Sequence, residues 1–240
     1  MWCRGGIIII PPRNIKSSAA GVRSSMGDNE SAFGIEGNLA DTSAMDKLWE
    51  YVSKAKSESK IHDNLAGNIS SSLLIDDTDD WFFDNVLISL IKEYKDEYPW
   101  RFENQSLTLS GSDTNVFSGN EKAPFAISKM WVNFQRQHEF NPMHNHTGLF
   151  SFNIFMKIPY DWREQHELPH VKASNSPSAG NFEFVYTDVL GKINGYVYRL
   201  DPTCEGLILL FPAEMRHLVY PFYNCEEDRI TISGNIVYDI

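Results

Sequence analysis

The chain has 240 residues and a formal net charge of −11 at pH 7. That length suits one domain with a sizeable core, alone or with an extension, and 42% hydrophobic with 22% charged residues is a globular balance. The acidity argues against sequence-independent nucleic-acid binding, which needs clustered Lys and Arg to release counterions. No apolar run reaches the length of a membrane span. Cys3, Cys204 and Cys225 are odd in number and form no CxxC pair, so the reading is a reducing, cytoplasmic setting without a disulfide framework.

Residues 1–40 read as a poorly ordered N-terminal arm. The apolar run Ile7–Ile10 is short and stops at Pro11-Pro12, and Ser, Gly, Ala and Asn dominate residues 13–40. Residues 41–240 then read as a single domain. Asp41-Thr42-Ser43 offers N-cap chemistry, and Met45, Leu48, Trp49 and Val52 follow at helical spacing, predicting a helix over 43–56. Leu73–Ile75 reads as a short strand. Thr78 or Asp79 caps a second helix whose apolar stripe is Phe83, Val86, Leu87, Leu90, Ile91 and Tyr94.

After Pro99, short β-rich runs alternate with turns. The predicted strands are Ser106–Ser110, Ala126–Gln135, Leu149–Ile158, Asn181–Tyr186, Tyr196–Leu200, Leu207–Phe211, His217–Phe222 and Arg229–Tyr238. Such a series predicts a mainly β sandwich or barrel, with the two helices covering one outer face. Residues 160–180 read as a long surface loop.

The last strand alternates cleanly. Arg229, Thr231, Ser233 and Asn235 share one face, and Ile230, Ile232, Gly234 and Ile236 the other. A solvent-facing edge would give this pattern, and so would a polar barrel interior with its apolar face against helices. The strand at Leu149–Ile158 favours the interior: beside a wholly apolar face it has a mixed one carrying Ser151 and Asn153. Trp131 and Asn133 are further candidates for the cavity wall. Hydroxyls and amides around one arginine suit an acidic small molecule, because guanidinium presents a rigid fork to a carboxylate.

In NPMHNHTGLF, His144 and His146 lie on the same side of an extended segment, so both imidazoles can reach one ion. His217 follows in FPAEMRHLVYPF, and Arg229 twelve residues later. An H-x-(H/D/E) pair, a distant histidine in an FP…H context and an arginine about a dozen residues on resemble the iron(II)- and 2-oxoglutarate-dependent oxygenases. The wording is most similar to a group found in marine phages and bacteria, from Trp131 to Tyr238, with LAGNI at 65–69 also similar. The resemblance implies a double-stranded β-helix (jelly-roll, cupin-like) fold. It implies Fe(II) held by His144 and His217, and Arg229 binding the distal carboxylate of 2-oxoglutarate with a hydroxyl from Thr231 or Ser233. It also implies consumption of O2, release of succinate and CO2, and hydroxylation of an unidentified substrate. That substrate would be a protein side chain such as proline, a nucleotide base or a small metabolite, and a viral source would place it in host cytoplasm.

The usual triad has a carboxylate where this chain has His146. Either His146 completes a three-histidine site, or a carboxylate such as Glu183 or Asp188 joins from elsewhere, or the site binds metal and catalyses poorly; parity and the group's wording favour the first. Two rival functions stay open. One is a jelly-roll binding or structural protein of phage type. The other is a three-histidine cupin-type metalloenzyme without 2-oxoglutarate, which has no need of the arginine-bearing face. The sequence sets no oligomeric state.

Overall fold

The computed structural model describes residues 15–17, 23–25, 34–40, 43–55, 66–77, 79–98, 125–188 and 190–239. Among these residues, twelve strands form two antiparallel sheets. In chain order they are β1 (Ile15–Ser17), β2 (Arg23–Ser25), β3 (Ile35–Asn38), β4 (Ser71–Ile75), β5 (Phe125–Gln135), β6 (Asn141–His144), β7 (Phe150–Lys157), β8 (Phe182–Thr187), β9 (Ile193–Tyr198), β10 (Leu207–Pro212), β11 (Arg216–Val219) and β12 (Arg229–Tyr238). The major sheet has the order β1-β2-β3-β10-β7-β12-β5-β4, the minor one β6-β11-β8-β9. The architecture is the mainly β jelly roll expected from the sequence.

The alternation of β12 decides which face is inside. Ile232 and Ile236 are fully buried in an apolar layer with Val132, Phe152 and Ile154 of the major sheet. Helix α1 (Ser43–Lys54) adds Ala44, Leu48 and Tyr51 to that layer, and α2 (Ile88–Glu97) adds Leu90, Ile91 and Tyr94. A π-helical turn, Phe83–Leu87, leads into α2. The polar face of β12 therefore turns toward the minor sheet, as a barrel interior. A second apolar cluster, with Phe155, Phe182, Phe184, Leu209 and Phe211, fills the space between the sheets. Among the described residues no helix is long and apolar enough to cross a membrane.

Several expectations are corrected. The end of the supposed arm is core: β3 pairs with β10 over Leu207–Leu210, and Leu39 is wholly buried with its N–H on the Gly206 carbonyl (2.8 Å). A four-residue strand containing glycine and glutamate lacks the apolar density that marks a core strand. Asp77, not Asp79, supports the start of the second helix, accepting from the N–H groups of Phe82 (3.0 Å) and Phe83 (2.9 Å) and from the Tyr51 hydroxyl (2.6 Å). Trp49 is 37% exposed, outside the buried stripe of α1. Residues 160–180 are not one loop but carry α3 (Trp162–His166) and α4 (Pro169–Lys172), with Tyr160, Gln165 and Val171 buried. Strand β6, hidden by its proline and histidine, was not foreseen. The predicted strand 106–110, the candidate caps Asp41, Thr42 and Thr78, and Leu65 of LAGNI lie outside the described residues.

Candidate metal centre and acid-binding cavity

His144 closes β6 and stands directly opposite His217 of β11 in the register. His146 lies two residues past the strand end, where its N–H is fixed by the Ala213 carbonyl (2.8 Å) and its ring packs 5.8 Å from that of Trp131. The three imidazoles converge: one ligand nitrogen from each lies within 4.8 Å of the others, and Nε2 of His146 is 3.2 Å from Nε2 of His217.

Two tautomers follow from the partners. Nδ1 of His144 lies 2.7 Å from the Pro142 carbonyl and Nδ1 of His217 lies 3.0 Å from the Met215 carbonyl. A carbonyl only accepts, so each Nδ1 carries the proton and each Nε2 keeps its lone pair for a ligand. His217 is 4% exposed, enclosed by the rings of Phe182 (5.5 Å), Phe184 (6.0 Å) and Phe211 (5.1 Å). Burial disfavours the charged form. It lowers the pKa of His144, lowers that of His146 to about 4 with a further push from His144, and holds His217 well below the usual range.

Neutral nitrogen donors suit a first-row divalent ion such as iron or zinc. Nitrogens each about 2.1 Å from one ion stand about 3.0–3.4 Å apart, so the 3.2 Å pair has a ligating separation. Among the described residues no carboxylate joins the cluster. Both carboxylate alternatives are engaged elsewhere. Glu183 accepts from the Tyr220 hydroxyl (2.7 Å), and Asp188 accepts from Leu190 N, Lys192 N and Asn194 Nδ2 in the β8–β9 turn.

The imidazoles open on a cavity of about 180 Å³ between the sheets. Trp131, Asn133, Asn153, Arg229, Thr231 and Ser233 line its major-sheet wall, together with Gln135 and Phe155. The register explains the set. Ser233 lies beside Trp131 and Asn153, Thr231 beside Asn133 and Phe155, and Arg229 beside Gln135. Asn153 is 9% exposed; its Oδ1 accepts from Ser233 (3.0 Å), while its Nδ2 is buried without a partner. Asn141, also on the cavity, has an unpartnered buried Oδ1. Ser151 and Asn235 do not line it. They share the right face but sit one row, about 7 Å, further along the strands, and satisfy each other at 2.9 Å.

Arg229 is 1% exposed and spends all five N–H donors on neutral oxygens. Nε (3.2 Å) and Nη2 (2.6 Å) share Oε1 of Gln135, Nη2 also reaches the Tyr220 carbonyl (3.1 Å), and Nη1 reaches Tyr160 Oη and the Gly180 carbonyl (3.2 Å). No described carboxylate pairs with it. Thr231 and Ser233 instead bond to Asn133 (3.4 Å) and Asn153. Sequence reasoning missed Gln135, although its parity with Trp131 and Asn133 put it on the cavity face. It also missed Tyr160 and Gly180, which the chain brings from the far side of β7 and for which the sequence holds no signal.

Residues 129–235 match a protein family described as "Putative 2OG-Fe(II) oxygenase". Among solved structures, the chain is similar to an oxidoreductase of the 2OG-Fe(II) oxygenase family from Burkholderia pseudomallei, with 17% identity, a TM-score of 0.34 and coverage of 50% of this chain and 48% of that one. The chain thus spans about half that protein's length. It is also similar to a Pseudomonas putida prolyl-4-hydroxylase (10% identity, 82% and 84% coverage, TM-score 0.41) and to IDO from Bacillus thuringiensis (13% identity, 82% and 86% coverage, TM-score 0.38). No curated protein matches the chain.

Proposed function

We propose that this chain, whose residues 129–235 match the family described as "Putative 2OG-Fe(II) oxygenase", is an iron(II)- and 2-oxoglutarate-dependent dioxygenase that hydroxylates a second substrate. The observation that carries this reading is a shared cavity: three neutral imidazoles and a buried guanidinium with no carboxylate partner among the described residues line the same space. An uncompensated buried cation is costly, and an acid entering the cavity would offset that cost. A metalloenzyme with no acidic co-substrate has no use for it.

His144, His146 and His217 would hold the metal. Bound there, iron(II) supplies the redox chemistry that couples O2 and 2-oxoglutarate to succinate, CO2 and an oxidised substrate. The protein's own residues prepare that chemistry. The Pro142 and Met215 carbonyls fix two ring orientations, so the lone pairs face the cavity before any ligand arrives. Phe182, Phe184 and Phe211 exclude water from His217. Arg229 would hold the distal carboxylate, and Asn153 Nδ2 offers a free donor on the cavity wall. Three imidazoles leave the site one unit more positive than two imidazoles and a carboxylate, which shifts its redox poise. The second substrate would be a protein side chain such as proline, a nucleotide base or a small metabolite.

The test is anaerobic addition of Fe(II) and 2-oxoglutarate, read by the metal-to-ligand charge-transfer band. No band from folded, iron-loaded protein sinks the co-substrate assignment. Arg229→Ala should weaken 2-oxoglutarate binding far more than iron binding, whereas His146→Ala should greatly weaken iron binding. Retained iron binding and turnover in His146→Ala would remove His146 from the ligand set.

A further inference from the structure

Gln135 is 3% exposed and lines the cavity beside Arg229. Its orientation is settled at both ends. Nε2 donates to the Glu139 carbonyl (2.5 Å), so Oε1 is the atom that faces Arg229. That one neutral oxygen takes both Nε and Nη2, the edge of the guanidinium that a carboxylate grips with two oxygens. The opposite side of the guanidinium is held differently. Tyr160 donates to the Gly180 carbonyl (2.6 Å) and accepts from Nη1, and the Gly180 and Tyr220 carbonyls complete the cradle. Gly180, at φ 77°, leaves no room for a side chain there: a Cβ would stand 2.7 Å from the Tyr160 ring. So one side of Arg229 is fixed by backbone and a wedged ring, and the other by a single replaceable side chain.

We infer that Gln135 is a built-in occupant of the acid subsite, holding the Nε/Nη2 edge of Arg229 until a carboxylate displaces it, and so determines which ligands enter. The inference rests on the acid-binding reading of Arg229 above. A neutral ligand carbonyl gains nothing over the carboxamide oxygen it replaces. A carboxylate gains two charge-assisted bonds to a cation with no counter-ion among the described residues, so the exchange favours acids over amides of the same shape.

The two directions of change at this position separate an occupant from an ordinary contact. Gln135→Glu places a permanent carboxylate on the edge and should weaken 2-oxoglutarate binding by about tenfold or more. Gln135→Ala and Gln135→Met, the latter close in shape, remove the occupant and should bind 2-oxoglutarate at least as tightly as the unaltered chain. Binding is measured by calorimetry on protein loaded with Mn(II), with the Mn(II) titration itself serving as the control for an intact fold. Equal affinity in Gln135→Glu, or losses in Gln135→Ala and Gln135→Met matching that of Gln135→Glu, overturns the inference while leaving the co-substrate reading standing. If the unaltered chain binds no 2-oxoglutarate, the co-substrate reading falls. Acetate and succinate titrations then decide the inference alone: tighter binding to Gln135→Ala upholds it, and no binding to either protein ends it.

Discussion

His217 is the most protected of the three imidazoles, and its protection makes a statement about pH. Free imidazole titrates near 6.5, whereas burial takes His146 to about 4 and His217 well below its usual range. Between those values the unfolded chain binds more protons than the native one, so stability rises with pH. The contribution is complete above pH 6.5 and is lost as pH falls toward 4. Melting of the metal-free protein from pH 7 to 4.5 should show the decline, and His217→Phe should make it shallower, leaving the share of His144 and His146; an unchanged slope in that variant would remove His217 from the titrating groups. At this scale the sequence was legible where chemistry repeats in order. Strand parity put His144 and His146 on one side, the family resemblance added His217, and the three rings do converge. Arg229 was found too, but the side chains that grip it were not. Gln135 was missed although its parity with Trp131 and Asn133 carried a signal; Tyr160 and Gly180 meet the guanidinium through tertiary folding alone.

Elements were legible in proportion to their apolar periodicity. The pattern of β12 gave its faces correctly, because its alternating isoleucines have one apolar layer to enter. Gly234 interrupts that row for a reason in the neighbouring strand: a Cβ would lie 2.4 Å from the Phe152 ring and 2.9 Å from the Lys129 carbonyl. Gly234→Val should cost about 2 kcal/mol or more by overpacking, measured as a lower urea midpoint with an unchanged slope. Strand β3 shows the opposite case. Its residues looked like an arm because part of its hold on the fold is backbone pairing with β10 and β2, which composition does not record. Leu39→Ala is the direct check. A loose arm would tolerate it, whereas a side chain at 0% exposure predicts a loss of about 2–5 kcal/mol in denaturant unfolding.

Over the whole molecule, the site is divided between two layers. The three imidazoles belong to the minor sheet and its approach, with His144 on β6 and His217 on β11, while Arg229, Gln135, Asn133 and Asn153 belong to the major sheet. The sequence predicted a β sandwich or barrel and most of its strands, yet not β3, β6 or the spacing of the sheets, because spacing is set by how side chains from distant strands interdigitate. Phe155 and Phe211 from one sheet meet Phe182 and Phe184 from the other, with Phe155–Phe182 centroids at 6.0 Å and Phe184–Phe211 at 4.9 Å. These rings act as a gauge block between the two halves of the site. A ligand that touches both the imidazoles and the guanidinium must match the thickness they set, so chain length is measured by residues that need not touch the ligand's ends. Shaving the block with Phe184→Leu should change which of succinate, glutarate and adipate competes best with 2-oxoglutarate, while leaving the metal affinity within a few-fold of its starting value.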